Sequence, residues 1–213
     1  MLTLGVHTAG PACDIALADG ELILTATREE MARGQDAKLA GLVKTLFETA
    51  GREIGSLDRI GVVVGPGSFT GIRVGTAFAR GLALATGAIC VGVTSLEAAL
   101  PAGQQGSAIV LLPAQRRPPD ITYWAQKFRS GEATGTPEEL SLDAVLDLLQ
   151  AHPHMIYGDA DALVAAGREI TVHSAQPSAE RAALLAQCVD ANSHPPSPTY
   201  VRAPDAALPS GQR

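Results

Sequence analysis

A chain of 213 residues, 46 % hydrophobic and 18 % charged, can bury one core, or two smaller ones sharing a seam, and is too apolar to be disordered. Its formal net charge is −6, with three lysines (Lys38, Lys44, Lys127) against thirteen arginines, which argues against a basic nucleic-acid surface of its own. Cys13, Cys90 and Cys188 are odd in number, far apart and without a CxxC, so a disulfide framework and a zinc knuckle are both disfavoured and reduced cytosol fits best.

The opening "MLTLGVHTAG" has no basic start, apolar run or small-residue cleavage site, and no export is expected from it. Alternation in "LTLGV" (2–6), "DIALA" (14–18) and "LILTA" (22–26) predicts three short antiparallel strands joined by turns. From Lys38 the period becomes helical. Leu39, Leu42, Val43, Leu46, Phe47 and Ala50 form one apolar face, closed by Gly51 as C-cap. "RIGVVVG" (59–65) has the length and composition of a buried strand; a long apolar helix and the strand "AICVGV" (88–93) follow, giving the order βββαβαβ.

The stretch Val74–Val93 approaches the ~20 residues that span a bilayer, but Arg80 at its middle and Gly75, Gly81, Gly87 and Gly92 predict a soluble helix followed by a strand. The turn before the helix, Gly65, Pro66, Gly67, Ser68 and Thr70, is rich in glycine. No lysine follows it, so it fails the Walker pattern, and Pro66 and Thr70 flank Ser68 where a nucleophile elbow needs glycines. Backbone N–H groups there remain able to meet phosphate; Ser68 and Thr70 read first as helix caps. In the helix, Val74, Phe78, Leu82 and Ala85 form one apolar stripe. Gly71, Gly75, Ala79 and Ala83 form a second stripe of small residues. A helix apolar on both faces must be covered on both. Either both stripes are core, or the small face admits another helix, the Lys38–Ala50 helix being one candidate, in which case bulk at Gly75 is expected to block that approach; Arg73 and Arg80 are placed to snorkel or reach a partner's carboxylates.

The second half repeats this order in degraded form. "SAIVLLPA" (107–114) and "ITYWAQKF" (121–128) predict a hairpin, "SLDAVLDLLQ" (141–150) a helix capped by Ser141 with Leu142, Val145, Leu146 and Leu149 inward. "HMIYG" and "EITVH" predict short strands, "SAERAALLAQCVDA" (178–191) a last helix, and the proline-rich remainder a surface tail. The expected division is 1–103, 104–178 and 179–213, the last piece packing back on the first.

The segment "GVVVGPGSFTGIRVGTAFARGLALATGAICVGVTSLEAAL" (61–100) resembles the TsaB (YeaZ) family of bacterial tRNA threonylcarbamoyladenosine biosynthesis proteins. Weaker likenesses run through "LTLGVHTAGPACDIAL", "MARGQDAKLAGLV", "YGDA" (157–160) and "SPTYVRAPDAALP" (197–209). The resemblance implies an α/β, actin-like fold of two ribonuclease-H-like halves. It also implies a non-catalytic paralogue that supports the transferase TsaD and the ATPase TsaE, meets tRNA only through their complex, and forms homodimers alone. The interface it implies lies on two helices, at Leu39, Leu42, Val43, Leu46, Gly71, Arg73, Val74, Gly75, Phe78, Ala79, Arg80 and Leu82. No catalytic residue, cofactor or metal site is expected.

The residues support that absence separately. Where actin-like ATPases carry a metal-holding aspartate in the first strand-turn, this chain has His7, and an imidazole does not replace a carboxylate for magnesium; His7 is expected to be a hydrogen-bonded turn residue. His152 and His154 lack a third ligand for zinc, and no HExxH is present although the family is grouped with metallopeptidases. Gln35 stands where relatives commonly have histidine, Arg116 and Arg117 sit in a lengthened hairpin turn, and Asp159, which matches the family, reads equally as a turn or cap residue or as a contact residue. A small-molecule kinase or ATPase of the same fold is the alternative, and it requires a carboxylate near His7.

Overall fold

The computed structural model describes residues 1–31, 34–115, 120–151, 155–159, 161–165 and 170–201. Two mixed sheets are built on one plan. The first joins β1 (Leu2–His7), β2 (Ala12–Asp19), β3 (Leu22–Glu30), β4 (Arg59–Gly65) and β5 (Ile89–Thr94) in the order β3-β2-β1-β4-β5. The first three strands are antiparallel and β1, β4 and β5 are parallel. Helix α1 (Gln35–Ala50) connects β3 to β4, α2 (Phe69–Thr86) connects β4 to β5, and the short α3 (Ser95–Ala99) follows β5.

The second sheet contains β6 (Ser107–Gln115), β7 (Thr122–Arg129), β8 (Glu132–Ala133), β9 (Glu138–Ser141), β10 (Met155–Gly158) and β11 (Val172–Ser174). Its order is β11-β10-β6-β7-β8, with β9 also on β7. With β6 as the counterpart of β1, this is the same order, again antiparallel on one side and parallel on the other. Helix α4 (Leu142–Ala151) stands where α1 stands, α5 (Asp161–Ala165) where α2 stands, and α6 (Ala179–Ala186) follows β11.

Strand alternation sorts the first sheet's two faces. Leu2, Leu4, Val6, Ile60, Val62 and Val64 point into one core with Leu39, Val43, Leu46 and Phe47 of α1 and Ala79 of α2. The opposite face carries Gly5 and Gly61, and α6 lies directly on them. A Cβ at Gly5 would land on the Ala179 carbonyl oxygen, and one at Gly61 on Ala182, with the Ala186 Cβ at 2.8 Å. Ala179, Ala182, Ala183 and Ala186 are accordingly all 0 % exposed. Small residues on both elements allow helix and sheet to approach at backbone distance.

Helix ends follow the expected chemistry. Gly51 closes α1 in the left-handed conformation (φ 62°). Ser68 caps α2 by accepting from the Gly71 N–H at 3.2 Å, and Ser141 Oγ accepts from Ala144 N–H at 3.2 Å before α4. Thr70 falls inside the first turn of α2 and is not a cap. Val145 is fully buried, with Leu142, Leu146 and Leu149 packed around it. Strands β8 and β9 and helices α3 and α5 were beyond the sequence reading, all of them five residues or shorter.

The segment after α6 returns across the first sheet. The Gly92 N–H donates to the His194 carbonyl at 2.8 Å and the Thr199 N–H to the Val64 carbonyl at 2.8 Å, so the chain runs beside edge strand β5. Tyr200 then stacks on Phe69 at 5.3 Å between ring centroids.

Candidate functional site

A cleft of about 420 Å³ opens between the two sheets. The first lobe contributes His7 from the end of β1, Gly10 from the β1–β2 connection, Arg28 from β3, Ser68 from the glycine-rich turn and Ser95; Pro113 and Trp124 of the second sheet and Gln176 also line it. Register explains the polar corner. His7 pairs across the strands with Asp14, and Asp14 with Arg28, so three titratable side chains stand in a row on the sheet face that α6 covers.

Each member of the row has its own electrostatics. Asp14 Oδ2 accepts the Ala179 N–H at 3.0 Å, at the positive end of α6, and lies 3.6 Å from Arg28 Nη1. Burial raises its pKa, opposed by the Ala179 hydrogen bond and by Arg28. Arg28 Nε also donates to Glu30 at 3.0 Å. His7 is 4 % exposed and its Nδ1 has no hydrogen-bond partner. Burial first, and the Arg28 charge second, push its pKa down from 6.5 to about 4, so the ring is neutral at pH 7. The expected hydrogen-bonded turn residue is thus the buried end of β1 with one unpaired nitrogen.

The glycine-rich turn is closed by its own chain. The Ser68 N–H donates to the Ala9 carbonyl at 2.7 Å, the Gly71 N–H goes to Ser68 Oγ, and Thr8 Oγ1 donates to the Gly71 carbonyl at 2.7 Å. Thr8 and Ala9 thus hold the turn through the Ser68 N–H and the Gly71 carbonyl, while Ser68, Phe69 and Thr70 stay exposed at the start of α2. Gly65 has a φ of 109°, and a Cβ at Gly67 would strike the Ala9 carbonyl.

The same contacts turn part of the expected interface inward. Gly71 and Gly75 do not offer a groove to a partner: a Cβ at Gly71 would land on the Thr8 carbonyl oxygen, and one at Gly75 on Thr8 Oγ1, with Val62 Cγ2 at 3.7 Å. Ala79 is 0 % exposed, as is Leu39, while Val43 and Leu46 are each 2 % exposed. These residues face the protein's own sheet because only small side chains let α2 sit against the β1–β2 connection. Leu42, Val74, Phe78 and Leu82 are half-buried against the same core. Arg73 is exposed but engaged: its guanidinium lies 3.7 Å over the Phe69 ring and its Nε donates to the Tyr200 hydroxyl at 3.1 Å.

The solvent face of α2 is a different strip, Arg73, Ala77, Arg80, Gly81, Leu84 and Ala85. Leu84 is 89 % exposed, and Cβ atoms added at Gly81 or at Gly41 of neighbouring α1 would meet nothing within 4 Å. A leucine so exposed, between residues too small to shield it, is an unpaired apolar knob.

Among the other residues singled out in the sequence, Gln35 is buried at the start of α1 and donates to the Met31 carbonyl at 3.3 Å. The Asp159 N–H donates to the Leu111 carbonyl at 3.1 Å, beside the end of β10. Arg116, Arg117, His152 and His154 lie outside the described residues. Asp14, Arg28, Trp124 and Gln176 were not anticipated. An acid inside the apolar run "ACDIALA" was the available signal for the first, whereas the other three become neighbours only through the topology.

A family model described as TsaD, tRNA N6-adenosine threonylcarbamoyltransferase, matches residues 28–136. The tRNA threonylcarbamoyladenosine biosynthesis protein TsaB of Escherichia coli K12 is 29 % identical over 157 residues, 73 % of this chain and 66 % of that protein, just under two thirds of its length. An uncharacterized protein of Mycobacterium tuberculosis is 31 % identical over 207 residues, 95 % of this chain and 92 % of that one. Among solved structures, YeaZ from Pseudomonas aeruginosa superposes with a TM-score of 0.70 at 23 % identity, covering 93 % of this chain and 99 % of that one. ROK hexokinase from Thermus thermophilus gives 0.54 at 15 % identity, covering 87 % and 97 %. At these identities the two structures bear on fold alone, and they put the paired sheets in the actin-like α/β class.

Proposed function

The chain belongs to the TsaB/YeaZ family, and from that premise we propose that it serves tRNA threonylcarbamoyladenosine biosynthesis as a non-catalytic subunit docked on the transferase TsaD. The observation that carries this reading is the outer strip of α2, where Leu84 is 89 % exposed beside Gly81. An exposed leucine flanked by small residues suits the close approach of a partner helix, in which the leucine enters the facing groove. Gly41 on α1 is likewise open at its Cβ position. The docking face is thus assigned to Ala77, Gly81, Leu84 and Ala85, with Arg80 at its edge, in place of the buried stripe of Gly71, Gly75 and Ala79.

The non-catalytic part of the reading rests on the site beside it. Thr8 and Ala9 bond to the turn before α2, and the strand end where actin-like ATPases hold metal carries a buried, neutral His7. In this reading tRNA and the ATPase TsaE are met through the assembled complex in the cytoplasm, and the same face pairs two copies of the chain when TsaD is absent. Among the described residues no helix is long and apolar enough to cross a membrane.

The test is titration of the purified chain against TsaD from the same organism, with Gly81→Leu and Leu84→Asp compared at equal thermal stability. Each is expected to weaken association by at least about tenfold, since each removes or blocks a contact at the centre of the face. Wild-type affinity in both folded variants would refute the docking assignment.

A further inference from the structure

We propose that Phe69, Arg73 and Tyr200 form a carboxylate-binding anchor at the start of α2 that, together with Arg80, selects an acidic segment of the partner protein over a second copy of this chain. This rests on the docking reading above and adds to it what the partner must carry at that end of the face.

Charge is unevenly placed on the chain. Acids outnumber lysines and arginines by 22 to 16, yet the 18 residues of α2 include Arg73 and Arg80 and no acid. Both arginines are exposed on the outer strip that also holds Gly81 and Leu84. They stand two turns apart on one side of the helix, about 10 Å along its axis. Among the described residues neither forms an ion pair. Asp205, the first acid after Tyr200 in the sequence, lies outside the described residues.

Arg73 is held in place as well as exposed. Its guanidinium lies 3.7 Å over the Phe69 ring, its Nε donates to the Tyr200 hydroxyl at 3.1 Å, and the two rings pack at 5.3 Å between centroids. Tyr200 reaches it from far along the sequence because the segment after α6 is tied beside β5 by the Gly92–His194 and Thr199–Val64 hydrogen bonds. These contacts fix the plane of the guanidinium through Nε and one face, and its two terminal nitrogens form the fork that meets a carboxylate with two parallel hydrogen bonds. Phe69 is 37 % and Tyr200 42 % exposed. An arginine set between two exposed aromatic rings has the composition of an interface anchor.

The same charges discriminate between partners. Two copies joined through the outer strip would bring Arg73 and Arg80 of each to one seam with no carboxylate from either α2, whereas a partner with acids at that place neutralises them. Tyr200 is thus a positioning residue for Arg73, and the carboxylate belongs to the partner.

The test follows two associations of the full-length chain, with TsaD and with itself, at about 50 mM and about 500 mM salt, a range over which exposed charge pairs become screened. The wild type is expected to bind TsaD several-fold more weakly at high salt and to self-associate no more weakly. Arg73→Ala is expected to weaken TsaD binding about tenfold and to flatten its salt dependence. Arg73→Lys keeps the charge without the fork and should restore only part of the affinity; Tyr200→Phe keeps the ring without the hydroxyl and should cost less than Arg73→Ala. Arg73→Ala combined with Arg80→Ala, checked by thermal melting, is expected to weaken TsaD binding and tighten self-association, opposite signs that loss of fold does not produce. The proposal is overturned if salt leaves TsaD binding unchanged, if the combined variant weakens both associations alike, or if Asp205→Asn raises TsaD affinity, which would give the guanidinium to the chain's own tail. Leu84→Asp and Gly81→Leu keep the two readings apart. If they leave TsaD binding intact while Arg73→Ala weakens it, the docking strip is wrong and the anchor stands; if they weaken it and Arg73→Ala does not, only the anchor fails.

Discussion

The inner and outer faces of α2 both carry small residues, for opposite physical reasons. On the inner face, Gly71 and Gly75 have the Thr8 backbone and hydroxyl where a Cβ would stand, and Ala79 is fully buried. On the outer face, a Cβ at Gly81 meets nothing within 4 Å, and Ala77 and Ala85 are exposed. The four-residue spacing of the inner stripe is therefore a true mark of close packing, and the surface packed against is the chain's own β1–β2 connection. Size and period are visible in a sequence; which side the rest of the chain later covers is not.

The largest expected effect comes from breaking the inner face. Gly71→Ala puts a methyl group on the Thr8 carbonyl oxygen, a backbone atom held by its neighbours, and is expected to destabilise the protein by about 3 kcal/mol or more. Urea denaturation measures it. A loss under about 1 kcal/mol would mean that the connection yields freely and that the two faces of α2 are more alike than their contacts indicate. Gly75→Leu is likewise expected to report on folding and not on docking.

Next in size is the acid response of His7, from which that connection begins. Its folded pKa, about 4, lies below the ordinary 6.5, so between those values the unfolded chain takes up a proton that the native one refuses. Stability from this group is complete above pH 6.5 and falls as the pH drops towards 4, by up to about 3 kcal/mol. Denaturant midpoints measured across that window in wild type and His7→Phe check it, because the variant should lose this part of the slope. Equal slopes would show that His7 is not held neutral beneath the turn.

Much of this architecture was legible beforehand. The βββαβαβ order, the inward face of α1, the Ser68 cap and the Ser141 cap all follow from short-range signals of period and end chemistry. The orientation of α2 was not, because Val74, Phe78 and Leu82 look more like a buried face than Gly71, Gly75 and Ala79 do. Burial by apolar area and burial by close approach leave different marks, and here the second decides which side faces the sheet. The cleft was less legible still. His7, Asp14 and Arg28 are brought together by strand register, and Trp124 reaches the same cleft from the second sheet.

A second inner contact sharpens the contrast through α6. Asp14 is a carboxylate buried beneath that helix, with its pKa raised by burial and its oxygen on the Ala179 N–H. Asp14→Asn retains an accepting oxygen and removes the charge, so stability at pH 7 is expected to change by less than about 1 kcal/mol, whereas Asp14→Ala is expected to cost about 1–2 kcal/mol. A raised carboxylate pKa means that the native state holds its proton longer than the unfolded one, so this group's contribution declines as pH rises through the window above 3.8. The trend is opposite to that of His7, and Asp14→Asn should abolish it. If Asn and Ala behave alike in thermal and denaturant unfolding, the hydrogen bond to α6 contributes nothing and close packing alone holds the helix.

The smallest effect belongs to the outer face, where structure and function should separate cleanly. Gly81 sits within α2 with open space at its Cβ position, and nothing among the described residues requires glycine there. Gly81→Ala is therefore expected to stabilise the isolated protein by about 0.5–1 kcal/mol, the helix-propensity difference between the two residues. Thermal unfolding of the monomer, at concentrations too low for self-association, checks that increment. The same methyl group should weaken association with TsaD if a partner helix needs the glycine's clearance, and Gly81→Leu should weaken it further while remaining folded. Only a residue whose space is reserved for another molecule gains stability and loses binding together. A variant that is more stable and docks as tightly as wild type would show that the outer strip, like the inner one, has been assigned to the wrong neighbour.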